Sequence, residues 1–159
     1  MAKACPTPQP LRVVIGTLIF VTLLFVMTFL GRFIFPPLFP AMSDDIHLGP
    51  GQAGSLFLLA ALASWVGSLA AGFVSSHINH RGALLVSVFG FAAALVGAYF
   101  ANSVWVLRAV FIVLGLCFGL HLPSSVATIT AMVRREDWGR ALSIQQLGPP
   151  TGLVAAPLI

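Results

Sequence analysis

Residues 54–100 read GSLFLLAALASWVGSLAAGFVSSHINHRGALLVSVFGFAAALVGAYF. Two apolar runs, 54–74 and 82–100, flank a short link that holds two histidines, an asparagine, an arginine and no acid. A run of about 20 apolar residues, wound as a helix, spans the ~30 Å hydrocarbon core of a bilayer. Neither run alternates apolar and polar residues, so membrane strands and a barrel are excluded. The link is short enough that the two helices must lie side by side and antiparallel.

The same pattern extends in both directions. A first span is expected over 13–35, with an apolar extension to Met42 and a polar tail over 1–12. A fourth span is expected over 104–133, and a fifth, incomplete span over 141–159. The links SDDIHLGPGQ, SSHINHRG, ANS and RREDWGR are all short. The predicted fold is all-α: a polytopic membrane helical bundle occupying residues 13–159. Composition agrees. The chain is 58% hydrophobic and 8% charged, with a mean hydropathy of +1.01, whereas soluble domains carry about 25% charged residues. A water-soluble fold of this length would have to expose greasy patches that aggregate.

The first run is too long for the ~7–15-residue core of a signal peptide and lacks a small-residue cleavage site. A retained first helix is therefore expected. Cys5 lies in the tail and Cys117 inside a span, and their spacing suggests neither a disulfide nor a metal cluster. The net charge of +4 is spread singly or in pairs between apolar runs, so there is no basic face for nucleic acid.

Orientation follows from lysine and arginine placement. If the spans alternate, Lys3, Arg12, Arg81, Arg134, Arg135 and Arg140 share one side. The other side receives Asp44, Asp45, His47 and the uncharged ANS link. The N-terminus is expected in the cytoplasm. Trp138 suits an interface on that side, and Tyr99 and Trp105 suit the opposite one. Arg108, three residues from Trp105, reads as an interfacial residue whose stem snorkels.

Small residues mark helix contacts. The second span is rich in Ala, Ser and Gly. Gly115 and Gly119 in the fourth, and Gly148 and Gly152 in the fifth, repeat at the four-residue spacing that lets helix backbones approach in lipid.

The segment Gly72 to Arg81 resembles the loop signature of the major facilitator superfamily. That signature has a glycine, three residues, an acid, a basic residue, any residue, a second glycine and two basic residues. Gly72 matches the opening glycine and Arg81 the final basic position. Ser76 stands for the acid, His77 and His80 for basic residues, and Asn79 for the second glycine. FIVLGLCFGLHLPSS is similar to the family's glycine-rich fourth helix, with Phe111 at its usual arginine position. WGRALSIQQLGPPTG, with Gly148, Pro149 and Gly152, resembles the start of its fifth helix, and LGRFIFPPLFPAM its first. The likeness covers essentially the whole chain. It implies two six-helix halves with a substrate site between them, helices one and four lining the path. It also implies secondary transport of a small solute by alternating access in a bacterial inner membrane. The present sequence would then be part of the first half, and the remainder of the transporter its partner. A small polytopic scaffold or subunit is the competing expectation.

Arg32 is the one charge inside the first apolar run. An arginine at a helix centre costs about 2.5–3.5 kcal/mol on insertion scales. It either snorkels to the nearer interface or faces a cavity and binds an anionic group. Pro36 and Pro37 lack the N–H groups that would bond the carbonyls of Arg32 and Phe33, and interrupted helices at membrane depth usually line a cavity. Thr28 sits one turn earlier on the same face. His121, beside Pro123, Ser124, Ser125 and Thr128, is a second candidate for substrate or proton binding. Gln145 and Gln146 are further polar candidates. The substrate-binding expectation is thus Arg32, His121, Thr28, Ser124 and Gln145, with a cationic cavity suiting a small organic anion. No acid lies within any span. His77 and His80 lack a third ligand, so no metal site is expected. No phosphate loop, HExxH or membrane acid pair is present, so neither an enzyme nor a cofactor is expected.

Overall fold

The computed structural model describes residues 10–37, 49–101 and 103–155, with the side chains of Pro50, His80 and Arg81 left out. Lys3, Cys5, residues 38–48 with Asp44, Asp45 and His47, Asn102, and residues 156–159 lie outside the described residues. Helices are α1 (Leu11–Phe33), α2 (Pro50–Tyr99), α3 (Val104–Met132), α4 (Trp138–Gln145) and α5 (Gly148–Ala155), with a 3-10 turn at Arg135–Asp137. No strand occurs among the described residues. Among the described residues four stretches are long and apolar enough to cross a membrane: Leu11–Pro37, Gly51–Asn79, Gly82–Tyr99 and Val104–Met132.

α2 is two arms meeting at Asn79, the one residue within it with non-helical backbone (φ 62°, ψ 161°). Positive φ is rare outside glycine but several-fold enriched in asparagine. The first arm runs past its apolar stretch, through Ser75, Ser76 and His77, which the sequence reading gives to the link. Local bonds keep these polar residues helical. The Ser76 hydroxyl donates to Phe73 O at 2.6 Å, and His77 Nδ1 lies 3.0 Å from the same carbonyl.

The contacts fix the directions of the helices. Along the first arm, Ala60 meets Gly115 and Ser64 meets Gly119, so that arm runs parallel to α3. Along the second arm, Ser87 meets His121 and Gly90 meets Cys117, so it runs antiparallel to α3. α1 is also antiparallel to α3, pairing Phe25 with His121 and Phe35 with Phe111. α5 follows α1, Gly148 against Phe25 and Gly152 against Phe29. Consecutive spans, with the two arms of α2 taken separately, are therefore antiparallel, and α3 contacts α1 and both arms.

The small-residue steps carry the closest approaches. A Cβ on Gly115 would run into the Ala60 backbone, and one on Gly119 into that of Ser64. Ala60 and Ser64 thus face Gly115 and Gly119, a four-residue step against a four-residue step. Pro123 lacks the N–H that would bond Gly119 O. The Ser68 hydroxyl of the first arm lies 3.1 Å from that carbonyl and 2.9 Å from Ser64 O in its own helix. Its one proton can serve either acceptor.

Two apolar clusters close the ends. One joins Phe35, Leu56, Phe91, Leu107 and Phe111. The other joins Leu18, Val21, Leu84, Ile129 and Ala141. At the second end the Leu11 N–H donates to Asp137 Oδ2 at 3.4 Å. An acid from the last link thereby meets the positive end of α1, which has no side-chain cap of its own. Trp138 Nε1–H donates to Val133 O at 3.0 Å and fixes the same link. Arg12, Arg134, Arg135 and Arg140 all belong to this end.

The last helical segment begins earlier than the apolar run suggests, at Trp138, and it breaks at Gln146–Leu147. Pro149 and Pro150 cannot bond the carbonyls of Gln145 and Gln146, so the chain turns there and restarts with Gly148 and Pro149 in the first turn.

Candidate functional site

Pro36 and Pro37 end the regular part of α1 in the same way. The helix stops at Phe33, turns at Ile34, and continues for one more turn to Pro37. Beside this break lies a cavity of about 140 Å³. It is walled by α1, both arms of α2 and α3. Six phenylalanines line it: Phe33, Phe35, Phe57, Phe91, Phe111 and Phe118. Pro36, Ala60, Leu114 and Gly115 complete the apolar wall, and among the described residues Arg32 is its one charged member.

The Arg32 guanidinium carbon lies 4.4 Å from the centre of the Phe118 ring. Among the described residues it has no hydrogen bond and no carboxylate within salt-bridge distance; the one ion pair there is Arg140 with Asp137 at 3.9 Å. A cation held over a ring is attracted by the ring's quadrupole and needs no hydrogen bond for that contact, so its N–H groups remain able to donate to a ligand. The rings around it contact one another edge-on or tilted. Phe57 and Phe111 stand 5.7 Å apart at 80°, and Phe35 and Phe111 stand 4.9 Å apart at 59°.

The other predicted site residues gather elsewhere, in a buried polar belt deeper in the bundle. His121 is 1% exposed, and its ring stacks on Phe25 with centroids 5.5 Å apart and planes 7° from parallel. The Ser87 hydroxyl donates to Leu84 O at 2.7 Å. Its oxygen therefore accepts from His121 Nδ1–H at 3.1 Å, which leaves the Nε2 lone pair bare. Nε2 and the neighbouring Ser124 Oγ are the buried side-chain polar atoms without a partner among the described residues. Gln145 Nε2 donates to Ser125 Oγ at 2.6 Å, joining α4 to α3. The Thr28 hydroxyl is spent on Leu24 O at 2.8 Å. Gln146 is exposed. Of the five predicted residues the structure thus brings Arg32 to the cavity and sets Thr28, His121, Ser124 and Gln145 in the belt.

Sequence reasoning missed the phenylalanine wall. The available signal was thirteen phenylalanines against three tryptophans and one tyrosine, a surplus of rings with no polar edge. It also missed Ser87, and it took Ser68 as a small packing residue, whereas both hydroxyls meet groups of another helix. In the link signature, Gly72 has open space around its Cα and His77 is exposed, its ring 4.5 Å from Phe73. Among the described residues no group of three or more histidine, cysteine or acidic side chains could hold a metal. At the far end Arg108 stacks on Trp105 at 4.7 Å, and Trp105 and Tyr99 are exposed.

Antiparallel membrane-length helices packed through small residues, with apolar side chains turned outward, define an integral membrane protein of the polytopic helical class. The chain belongs to the Major Facilitator Superfamily, whose family model matches residues 21–159. It is similar to two proteins of Bacillus subtilis (strain 168). One is named as the uncharacterized MFS-type transporter YqjV, 29% identical over 105 residues, covering 64% of this chain and 26% of the relative. The other is named as the uncharacterized MFS-type transporter YhjO, 28% identical over 92 residues, covering 58% and 23%. The chain spans about a quarter of the length of these curated relatives.

Proposed function

We propose that this chain supplies part of the first half of a secondary transporter that moves a small organic anion across a bacterial cytoplasmic membrane by alternating access. The observation that carries the anion reading is Arg32: a partly buried guanidinium without a counter-charge among the described residues, facing a cavity. Desolvated charge without a partner is costly, and an anionic ligand would relieve that cost when it docks. The guanidinium fork suits a carboxylate, which it can hold through two parallel hydrogen bonds. The prolines at the end of α1 support a moving part, because backbone freed from its helical bonds lines a cavity or rearranges there.

The N-terminus lies on the cytoplasmic side in this reading. The gathering of Arg12, Arg134, Arg135 and Arg140 at one end supports it, since basic residues are held inside. The remainder of the transporter would form the second wall of the translocation path. Uptake of radiolabelled carboxylates into proteoliposomes holding the full-length transporter tests the reading. Arg32→Gln is expected to lose anion uptake and Arg32→Lys to retain part of it. Anion uptake unchanged in Arg32→Gln removes the anion assignment.

A further inference from the structure

We infer that the ligand of the Arg32 cavity is a carboxylate carried on a single flat aromatic ring. This rests on the reading of Arg32 as an anion-binding group and adds the body of the ligand to it. Size gives the first argument. The cavity measures about 140 Å³, and an apolar protein cavity of about 150 Å³ holds one benzene molecule. A fused second ring exceeds that volume, and a two-carbon acid leaves most of the wall without a neighbour.

Chemistry gives the second argument. Among the described residues the lining apart from Arg32 is hydrocarbon, and six of its members are phenylalanines. Phe57, Phe35 and Phe111 already meet at the steep angles that aromatic pairs favour, and a guest ring 4.5–7 Å from their centres continues that arrangement. An aliphatic guest gains the burial but not the ring contacts. Charge gives the third. Seated over Phe118, the guanidinium spends none of its N–H donors on the described residues, and a carboxylate on a benzene ring can reach them while the ring stays among the phenylalanines. A neutral ring leaves the cation unpaired, and a cationic one is repelled.

Isothermal titration of the purified full-length transporter in detergent tests this, with sodium benzoate, acetate, cyclohexanecarboxylate, 2-naphthoate and neutral benzamide as probes. Benzoate is expected to bind tightest, with acetate weaker by about tenfold or more because it buries no ring. Cyclohexanecarboxylate falls between them, and naphthoate and benzamide give no heat. Arg32→Gln weakens benzoate binding about hundredfold. Leu114→Ala enlarges the cavity and admits 2-naphthoate; if that variant melts early, Phe57→Ala widens the same wall at a more exposed position. Acetate binding as tightly as benzoate, with Arg32 still required, overturns the ring inference and leaves the anion reading standing. Benzoate binding as tight in Arg32→Gln as in the parent overturns both.

Discussion

Arg32 and His121 are both polar residues inside membrane-length helices, on helices that touch, and the structure treats them oppositely. Arg32 stands beside empty space with one aromatic face as its partner. His121 is enclosed: Phe25 covers its ring, Ser87 takes its Nδ1–H, and the side chain is 1% exposed. A polar side chain in a span is costly, so it persists either for what it binds or for what it joins. The space next to it tells which. A void beside a cation invites a ligand, whereas a packed histidine bonded to a neighbouring helix acts as an interhelical clasp.

The largest expected effect that sharpens this contrast is on binding. Arg32→Gln should lower the apparent affinity for a carboxylate substrate about hundredfold, the scale of removing one partner of a buried charge pair. Its melting temperature in detergent should stay close to that of the parent, since few contacts are lost. Next is His121→Ala, which removes a ring from a filled site together with an interhelical bond. It should destabilise the fold by about 2–4 kcal/mol in a denaturation titration. His121→Phe keeps the stack on Phe25 and disposes of the unpaired Nε2, so it should recover more than half of that loss. Equal damage from both variants would show that the Ser87 bond matters more than the ring.

Smaller effects come from the other clasps. Gln145→Ala breaks the bond to Ser125 and should cost about 1 kcal/mol, read as a lower midpoint in the same titration. Ser68→Ala withdraws the hydroxyl from the carbonyl that Pro123 leaves free, and should cost about 0.6 kcal/mol, the average for interhelical bonds measured in a membrane protein. If Ser68→Ala costs as much as His121→Ala, the division between clasp and packing is misdrawn.

The spans were legible because their signal is local. Twenty apolar residues in a row need no tertiary information to be read as a crossing helix. The steps at Gly115 and Gly119 were legible for the same reason, since small-residue spacing lies within one helix. Less was legible where two segments share the outcome. The helical extension through Ser76 and His77 depends on bonds back to Phe73 O that compete with the turn the residues suggest. The break at Gln146 follows from Pro149 and Pro150, yet apolar composition alone hid it. Asp137 meeting the start of α1 joins residues 126 positions apart, and no periodicity announces such a pair. At the site, Arg32 stood out by charge. Its phenylalanine walls come from three helices and look like ordinary lipid-facing residues until the bundle closes around them.

The direct test is to measure benzoate binding and thermal stability on the same preparations of full-length Arg32→Gln and His121→Ala. The account predicts that Arg32→Gln binds about hundredfold more weakly and keeps its melting temperature, whereas His121→Ala melts early but binds normally per folded molecule at low temperature. The reverse pattern, with binding lost at His121 and stability lost at Arg32, would contradict it.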